Sequence, residues 1–116
     1  MSEFLDFLKH KYAYVAIGEF KPGCFAEAQR LYEQAVSTYT HGFKGAFLLQ
    51  KPGTDEGIAI ILWERIEDMQ ENQSEAYQSI MREMGHLFAN PPETSFYEVC
   101  SEIDPQAVLP ASEPAP

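Results

Sequence analysis

Basic residues are scarce in this chain. Eight lysines and arginines stand against eighteen aspartates and glutamates in 116 residues, a formal net charge of −10 at pH 7. A surface of that sign repels a phosphate backbone, which excludes nucleic acid as a partner. Anionic membrane surfaces are disfavoured for the same reason. Long hydrophobic runs are missing as well. The longest, Ile58 to Trp63, falls far short of the roughly 20 residues that a membrane-spanning helix needs. The opening MSEFLDFLKHK carries acids where a signal peptide would carry bases, and it has no small-residue cleavage site. The chain therefore reads as cytoplasmic. Cysteine is reduced to Cys24 and Cys100, which form no CxxC pair and fit two free thiols in a reducing compartment.

Chemical motifs are equally sparse. No HExxH, GxSxG, GxGxxG or GxxxxGK pattern is present. The three histidines, His10, His41 and His86, have no metal-ligand spacing among them. Nothing in the residues calls for a metal or a cofactor. His10 reads as surface. His41 and His86 lie where a helix ends, a place that suits an imidazole as a cap or dipole partner. His86 is also the histidine best placed to serve a pocket as a base. The acidic run Glu64, Glu67, Asp68, Glu71 and Glu75 reads as a solvated face at a helix N-terminus.

What the chain does contain is organised around residues 42–64, GFKGAFLLQKPGTDEGIAIILWE. Phe43 to Gln50 and Ile58 to Trp63 are apolar, β-prone runs, and the intervening KPGTDEG is turn-forming, so this is a hairpin with a long loop. Before it, Tyr12 to Phe20 reads as a first strand, closed by Lys21-Pro22-Gly23. A helix over Cys24 to Tyr39 follows, with Phe25, Ala28, Tyr32, Ala35, Val36 and Tyr39 on one stripe. Gly42 is placed to be its left-handed terminal residue. After the hairpin come a helical turn at Ile66 to Glu71 and a longer helix at Ser74 to Phe88, with Asn72 and Glu75 at capping-box spacing. Asn90-Pro91-Pro92 stops that helix. A fourth strand spans Thr94 to Glu102.

The order β-α-β-β-α-β is the ferredoxin-like α+β arrangement, an antiparallel four-stranded sheet with both helices on one face. Residues 12–103 form this domain. Residues 1–11 are an extension whose Phe4, Leu5, Phe7 and Leu8 share one face of a short helix. Residues 104–116 are a Pro/Ala-rich tail. The strands do not alternate cleanly between apolar and polar. Ala13, Val15 and Ile17 lie on one face of the first strand; Tyr12, Tyr14, Ala16, Gly18 and Phe20 lie on the other. Ile58 to Trp63 is apolar on both. The face away from the helices therefore needs a cover, and a second copy of the same sheet supplies one. The expected assembly is a homodimer closing into an α/β barrel.

At this point the residues resemble a known family. FKPG at the end of the first strand, GFKGAFLLQ, IAIILWE ending in tryptophan and the acidic ERIEDMQ are similar to antibiotic-biosynthesis-monooxygenase-like (ABM) domains of the dimeric α+β-barrel superfamily. The resemblance spans Tyr12 to Glu102. It implies a small-molecule-binding domain, with cofactor-independent monooxygenation of an apolar or phenolic substrate as the activity if the chain is an enzyme. It also implies a place for Trp63 close to a ligand pocket, and makes Trp63 and His86 the candidate catalytic residues. Tyr14, Phe47, Trp63, Tyr77, Met81, Met84, His86 and Tyr97 are the candidate pocket lining, suited to a small apolar or aromatic ligand. The alternative is a non-catalytic homodimeric interaction module. The haem-degrading branch shares Trp63, but needs an asparagine where this chain has about Ala16 and a histidine where it has Gln73-Ser74-Glu75. That departure argues against haem.

Overall fold

The computed structural model describes residues 11–105. The expected N-terminal helix, apart from Lys11, and residues 106–116 of the tail lie outside them. The element order is β1 (Tyr12–Glu19), α1 (Phe25–Val36), β2 (Phe43–Gln50), β3 (Glu56–Trp63), α2 (Ile66–Glu71), α3 (Glu75–Gly85) and β4 (Glu93–Glu98). The four strands form one antiparallel sheet in the order β2-β3-β1-β4. This is the ferredoxin-like α+β topology, and α1 and α3 pack on each other over one face of the sheet.

Helix α1 buries Phe25, Ala28, Leu31 and Ala35. Leu31 was not on the stripe expected from spacing, yet it is 2% exposed. Burying such a side chain contributes about 2 kcal/mol. The helix ends at Val36 rather than Tyr39, because two hydroxyls take over its last carbonyls. Ser37 Oγ donates to Gln34 O at 2.6 Å and Thr38 Oγ1 to Ala35 O at 2.7 Å, the competition by which Ser and Thr unwind helix ends. Gly42 is left-handed as expected, with φ +79°, but it shapes the entry to β2 rather than the helix terminus.

Helix α3 is capped by Ser74, whose hydroxyl accepts from Tyr77 N at 3.1 Å, and not by the anticipated Asn72–Glu75 box. Asn72 serves the loop described below instead. The helix stops at Gly85 because residues 87–89 leave it to pair with the end of β1: Lys21 N donates to Leu87 O at 2.7 Å and Ala89 N to Glu19 O at 2.9 Å. Strand β4 ends at Glu98, opposite Tyr12. One more bond, Val99 N to Lys11 O at 2.9 Å, closes the ladder.

A β-bulge at Lys44 decides which side chains of β2 face the helices. Phe43 pairs with Trp63 and Gly45 already pairs with Leu62, so Lys44 is the extra residue. Gly45 takes φ +139° to make this possible. Beyond the bulge the parity is reversed: Phe43, Ala46 and Leu48 share the helix side, while Phe47 and Leu49 turn away.

Candidate functional site

The site is an apolar cavity of about 110 Å³ between the sheet and the two long helices. Its origin is a block of four small residues at the centre of the sheet. Ala16 pairs with Ala59 and, one step along, Gly18 pairs with Gly57, all on the helix side. Phe88 and Phe25 descend into the space above the two glycines: a Cβ on Gly18 would stand 3.0 Å from Phe88 Cε1, and one on Gly57 2.8 Å from Phe25 Cε2. The space above the alanines has no such plug. There the roof is Tyr32, Tyr39, Tyr77, Met81 and Met84, and Tyr14, Ile61 and Thr94 complete the floor.

Every polar side chain on this wall is a hydroxyl. Among the described residues, Tyr14, Tyr32, Tyr39, Tyr77 and Thr94 are the only ones, and no charged residue lines it. Tyr32 OH donates to Phe47 O at 2.9 Å, and burial pushes its phenol up to about 12. Burial pushes Tyr39 much further, helped by the adjacent Tyr77 and a hydrogen bond to it. Tyr77 is also raised by burial, although the bond from Tyr39 works the other way. Tyr39, Tyr32 and Tyr77 are therefore neutral throughout the physiological range. They can donate hydrogen bonds, but they do not accept a proton there.

Of the anticipated lining residues, the structure brings Tyr14, Tyr77, Met81 and Met84 together around the cavity. Trp63 is one layer removed. It is fully buried, with its ring 4.8 Å from Tyr39 and 5.9 Å from Phe43. It touches the tyrosine cluster without reaching the cavity wall, and its Nε1 has no hydrogen-bond partner among the described residues. His86 caps α3 on the outside and is exposed. Phe47 and Tyr97 lie on the opposite face of the sheet, 56% and 58% exposed. Phe47 is sent there by the bulge. Tyr97 is sent by parity, because Thr94 and Phe96 occupy the cavity side of β4. Tyr32, Tyr39 and the Ala16/Ala59 floor were missed as lining. The small residues at alternate positions in both central strands were the signal that could have found them.

A polar centre lies at the end of the sheet near Trp63. Asp68 was expected on a solvated face, but it is 0% exposed. Its carboxylate accepts from Arg65 N at 3.0 Å and from Arg65 Nη2 at 2.8 Å. Asn72, also buried, accepts from Thr40 N at 2.8 Å and donates to His41 O and Asp68 O at 2.8 Å each. His41, Asp68 and Glu71 bring donor atoms within 4.8 Å of one another, the one such group among the described residues. Arg65 already supplies the positive charge there, reaching Glu71 Oε1 at 3.6 Å as well. This centre reads as a clamp on the loop before β2.

No protein-family profile matches the sequence, and no curated protein is detectably similar to it. Solved structures are. A candidate antibiotic biosynthesis monooxygenase from Chloroflexus aurantiacus superposes with a TM-score of 0.72 over 81% of this chain and 97% of its own, at 14% identity. SnoaB, a cofactor-independent oxygenase from Streptomyces nogalater, gives 0.70 over 80% and 96%, at 14% identity. A further candidate monooxygenase of this kind, from Caulobacter crescentus, gives 0.70 over 87% and 100%, at 11% identity. At these identities the likeness establishes the fold: this chain has the architecture of the ABM domain proteins. No helix among the described residues is long and apolar enough to cross a membrane.

Proposed function

We propose that this chain binds a small apolar or phenolic molecule in the tyrosine-roofed cavity. The observation that carries this reading is the wall itself, apolar throughout except for hydroxyls, above a floor held open by Ala16 and Ala59. Its volume of about 110 Å³ sets the scale. Apolar cavities of about 150 Å³ take benzene, whereas sites for drug-sized ligands run to about 300–1,000 Å³. That volume therefore suits a ligand of one ring or less.

Cofactor-independent monooxygenation of that ligand is the catalytic version of this reading, favoured by the fold shared with SnoaB. Such chemistry begins when the substrate loses a proton to become the electron-rich anion that meets oxygen. Among the described residues, the cavity wall offers no carboxylate, imidazole or amine to take that proton. Trp63 supports the roof through Tyr39. His86, on the outside of α3, reaches the cavity only if the end of that helix moves. The geometry thus supports binding more directly than turnover. The reading of a non-catalytic homodimeric module draws on a separate observation, the exposed apolar face formed by Ile17, Phe47, Leu49 and Tyr97.

Trp63 is the only tryptophan and abuts the roof, so its fluorescence reports occupancy. Titration with a panel of single-ring phenols and neutral single-ring carbonyl compounds is expected to give a saturable change. Ala59→Leu, which fills the floor, is expected to abolish that change while the protein stays folded. A flat response across the panel, together with no small molecule retained in native mass spectrometry of gently purified protein, would overturn the proposal.

A further inference from the structure

Asp68 and Glu71 stand three residues apart on α2, so both carboxylates leave the same side of that helix. His41 comes to them from the loop before β2. That loop is held in place: Asn72 Nδ2 donates to His41 O and to Asp68 O at 2.8 Å each, and Thr40 N donates to Asn72 Oδ1 at 2.8 Å. One donor atom from each of His41, Asp68 and Glu71 lies within 4.8 Å of the other two. His41 Nε2 and Asp68 Oδ1 are 3.6 Å apart. Two ligands of one tetrahedral zinc ion, each at about 2.0–2.1 Å from it, stand about 3.4 Å from each other. The imidazole and the buried carboxylate thus nearly have the spacing of a shared ion already. Glu71, whose side chain is 57% exposed, can close the rest by rotation.

Asp68 is oriented as a ligand would be. Its Oδ2 accepts from Arg65 N at 3.0 Å, a backbone bond that pins the carboxylate and leaves Oδ1 to face His41. Arg65 Nη2 meets Oδ1 at 2.8 Å and lies 3.6 Å from Glu71 Oε1. The guanidinium therefore stands where a cation bridging these oxygens would stand. Its hold is loose for a permanent plug. The Arg65 side chain is 52% exposed, against 0% for Asp68, and ion pairs made by so exposed a side chain are weak. With His41 neutral, two carboxylates and one guanidinium leave one negative charge uncompensated. A divalent cation in place of the guanidinium leaves none, and Arg65 can turn into water.

We propose that His41, Asp68 and Glu71 bind a divalent transition-metal ion, for which the Arg65 guanidinium is the built-in competitor. One imidazole nitrogen with two carboxylate oxygens suits zinc or cobalt, whereas magnesium and calcium prefer oxygen throughout. The ion ties the loop that carries His41 to α2, two residues beyond Tyr39 of the cavity roof. Its role is to brace that loop, since the site lies apart from the cavity wall. The spacing of the three histidines in the sequence does not reveal it, because only one of the ligands is a histidine and the other two come from α2.

The test uses the full chain without an affinity tag. Co²⁺ is titrated in and followed by its visible absorption, and Zn²⁺ is followed by the denaturant midpoint. Saturable uptake of one Co²⁺ per chain is expected, with a midpoint that rises in Zn²⁺ and does not respond to the same concentration of Mg²⁺. His41→Asn and Glu71→Gln both change exposed side chains, so the fold should persist, and each is expected to weaken Co²⁺ binding at least tenfold. Arg65→Met keeps the bulk of the stem and removes the competitor, and is expected to strengthen binding at least tenfold. Circular dichroism checks that each variant is folded; should Arg65→Met not fold, the other two variants decide alone. A wild type that takes up no Co²⁺ overturns the proposal. So does uptake that is unchanged in His41→Asn and Glu71→Gln, which would assign the ion to Cys24, Cys100 or His10. Weaker uptake by a folded Arg65→Met overturns it too, because the guanidinium would then support the ion instead of competing with it.

Discussion

The carboxylate of Asp68 lies against the Cα of Gly42, in the space where any other residue would carry its Cβ. The two residues are far apart in sequence. They meet because β3 and α2 return the chain to the start of β2, where Glu64 N donates to Gly42 O at 2.8 Å. Gly42→Ala therefore suffers twice, from φ +79°, which costs about 1–2 kcal/mol for an L-residue, and from the overlap with Asp68, worth about 1–3 kcal/mol. Gly53→Ala is the control. It has φ +78° and nothing within 4 Å, so it should lose only the first amount. Denaturant midpoints should rank Gly42→Ala well below Gly53→Ala. Adding Asp68→Ala to Gly42→Ala should cost less than the sum of the two changes, because one clash cannot be lost twice.

Asn72 carries the other half of this clamp. Asn72→Ala strips an acceptor from Thr40 N and a donor from His41 O and Asp68 O. Leaving such buried groups unsatisfied costs about 1–3 kcal/mol. Asn72→Asp is expected to do no better, since it keeps the acceptor but sets a carboxylate against two carbonyl oxygens. Chemical unfolding of the two variants measures this. If Asn72→Asp matched the wild type, the donor role of Asn72 would be wrong.

The tyrosine roof predicts alkaline sensitivity of a definite sign. Tyr32 is raised from 10.0 to about 12 by burial, and Tyr39 and Tyr77 are raised for the same first reason. A phenol whose pKa is higher in the folded state keeps its proton there after the unfolded chain has released it. Its contribution is complete below the unfolded value of 10 and is lost as pH rises from there towards the folded value. Stability should therefore be insensitive to these groups up to about pH 9, then fall steeply above pH 10. Tyrosinate absorbance should rise together with loss of structure, not ahead of it. Tyr39→Phe should shallow the alkaline slope. An unchanged slope would mean that Tyr39 is not held neutral by the fold.

The topology could be read from the sequence because each element announces itself locally. The aromatic and β-branched strands, the Lys21-Pro22-Gly23 stop and the 51–57 turn residues need no tertiary information to be recognised. The resemblance built on FKPG, GFKGAFLLQ and IAIILWE agrees with the fold shared with the monooxygenase-type structures. The site was less legible, for physical reasons that can be named. A bulge at Lys44 inverts every later position of β2, and no periodicity rule anticipates it, so Phe47 was placed in the pocket. Asp68 looked like one acid among many because burial depends on where α2 docks. The cavity itself arises from pairing Ala16 with Ala59, a register contact between strands forty residues apart that single-strand alternation does not contain.

The same parity argument makes the opposite face of the sheet a test of assembly. Ile17, Phe47, Leu49 and Tyr97 are 49%, 56%, 46% and 58% exposed there, and Val15, Ile58, Ile60 and Leu62 join them by alternation. Three strands of eight residues and one of six, about 4.8 Å apart, present on the order of 500 Å². Two such faces together bury about 1,000 Å², near the lower limit of a specific interface. A homodimer held by these faces should thus form at micromolar concentration and respond sharply to charge. Phe47→Lys places an ammonium within the interface, on the edge strand β2, where desolvation has no partner to offset it. In the separated chain, the same side chain would stand in water at almost no cost. The expected outcome in native mass spectrometry and light scattering is a dimeric wild type and a monomeric Phe47→Lys variant with an intact cavity-side core. A wild type that stays monomeric at every concentration would overturn the homodimer.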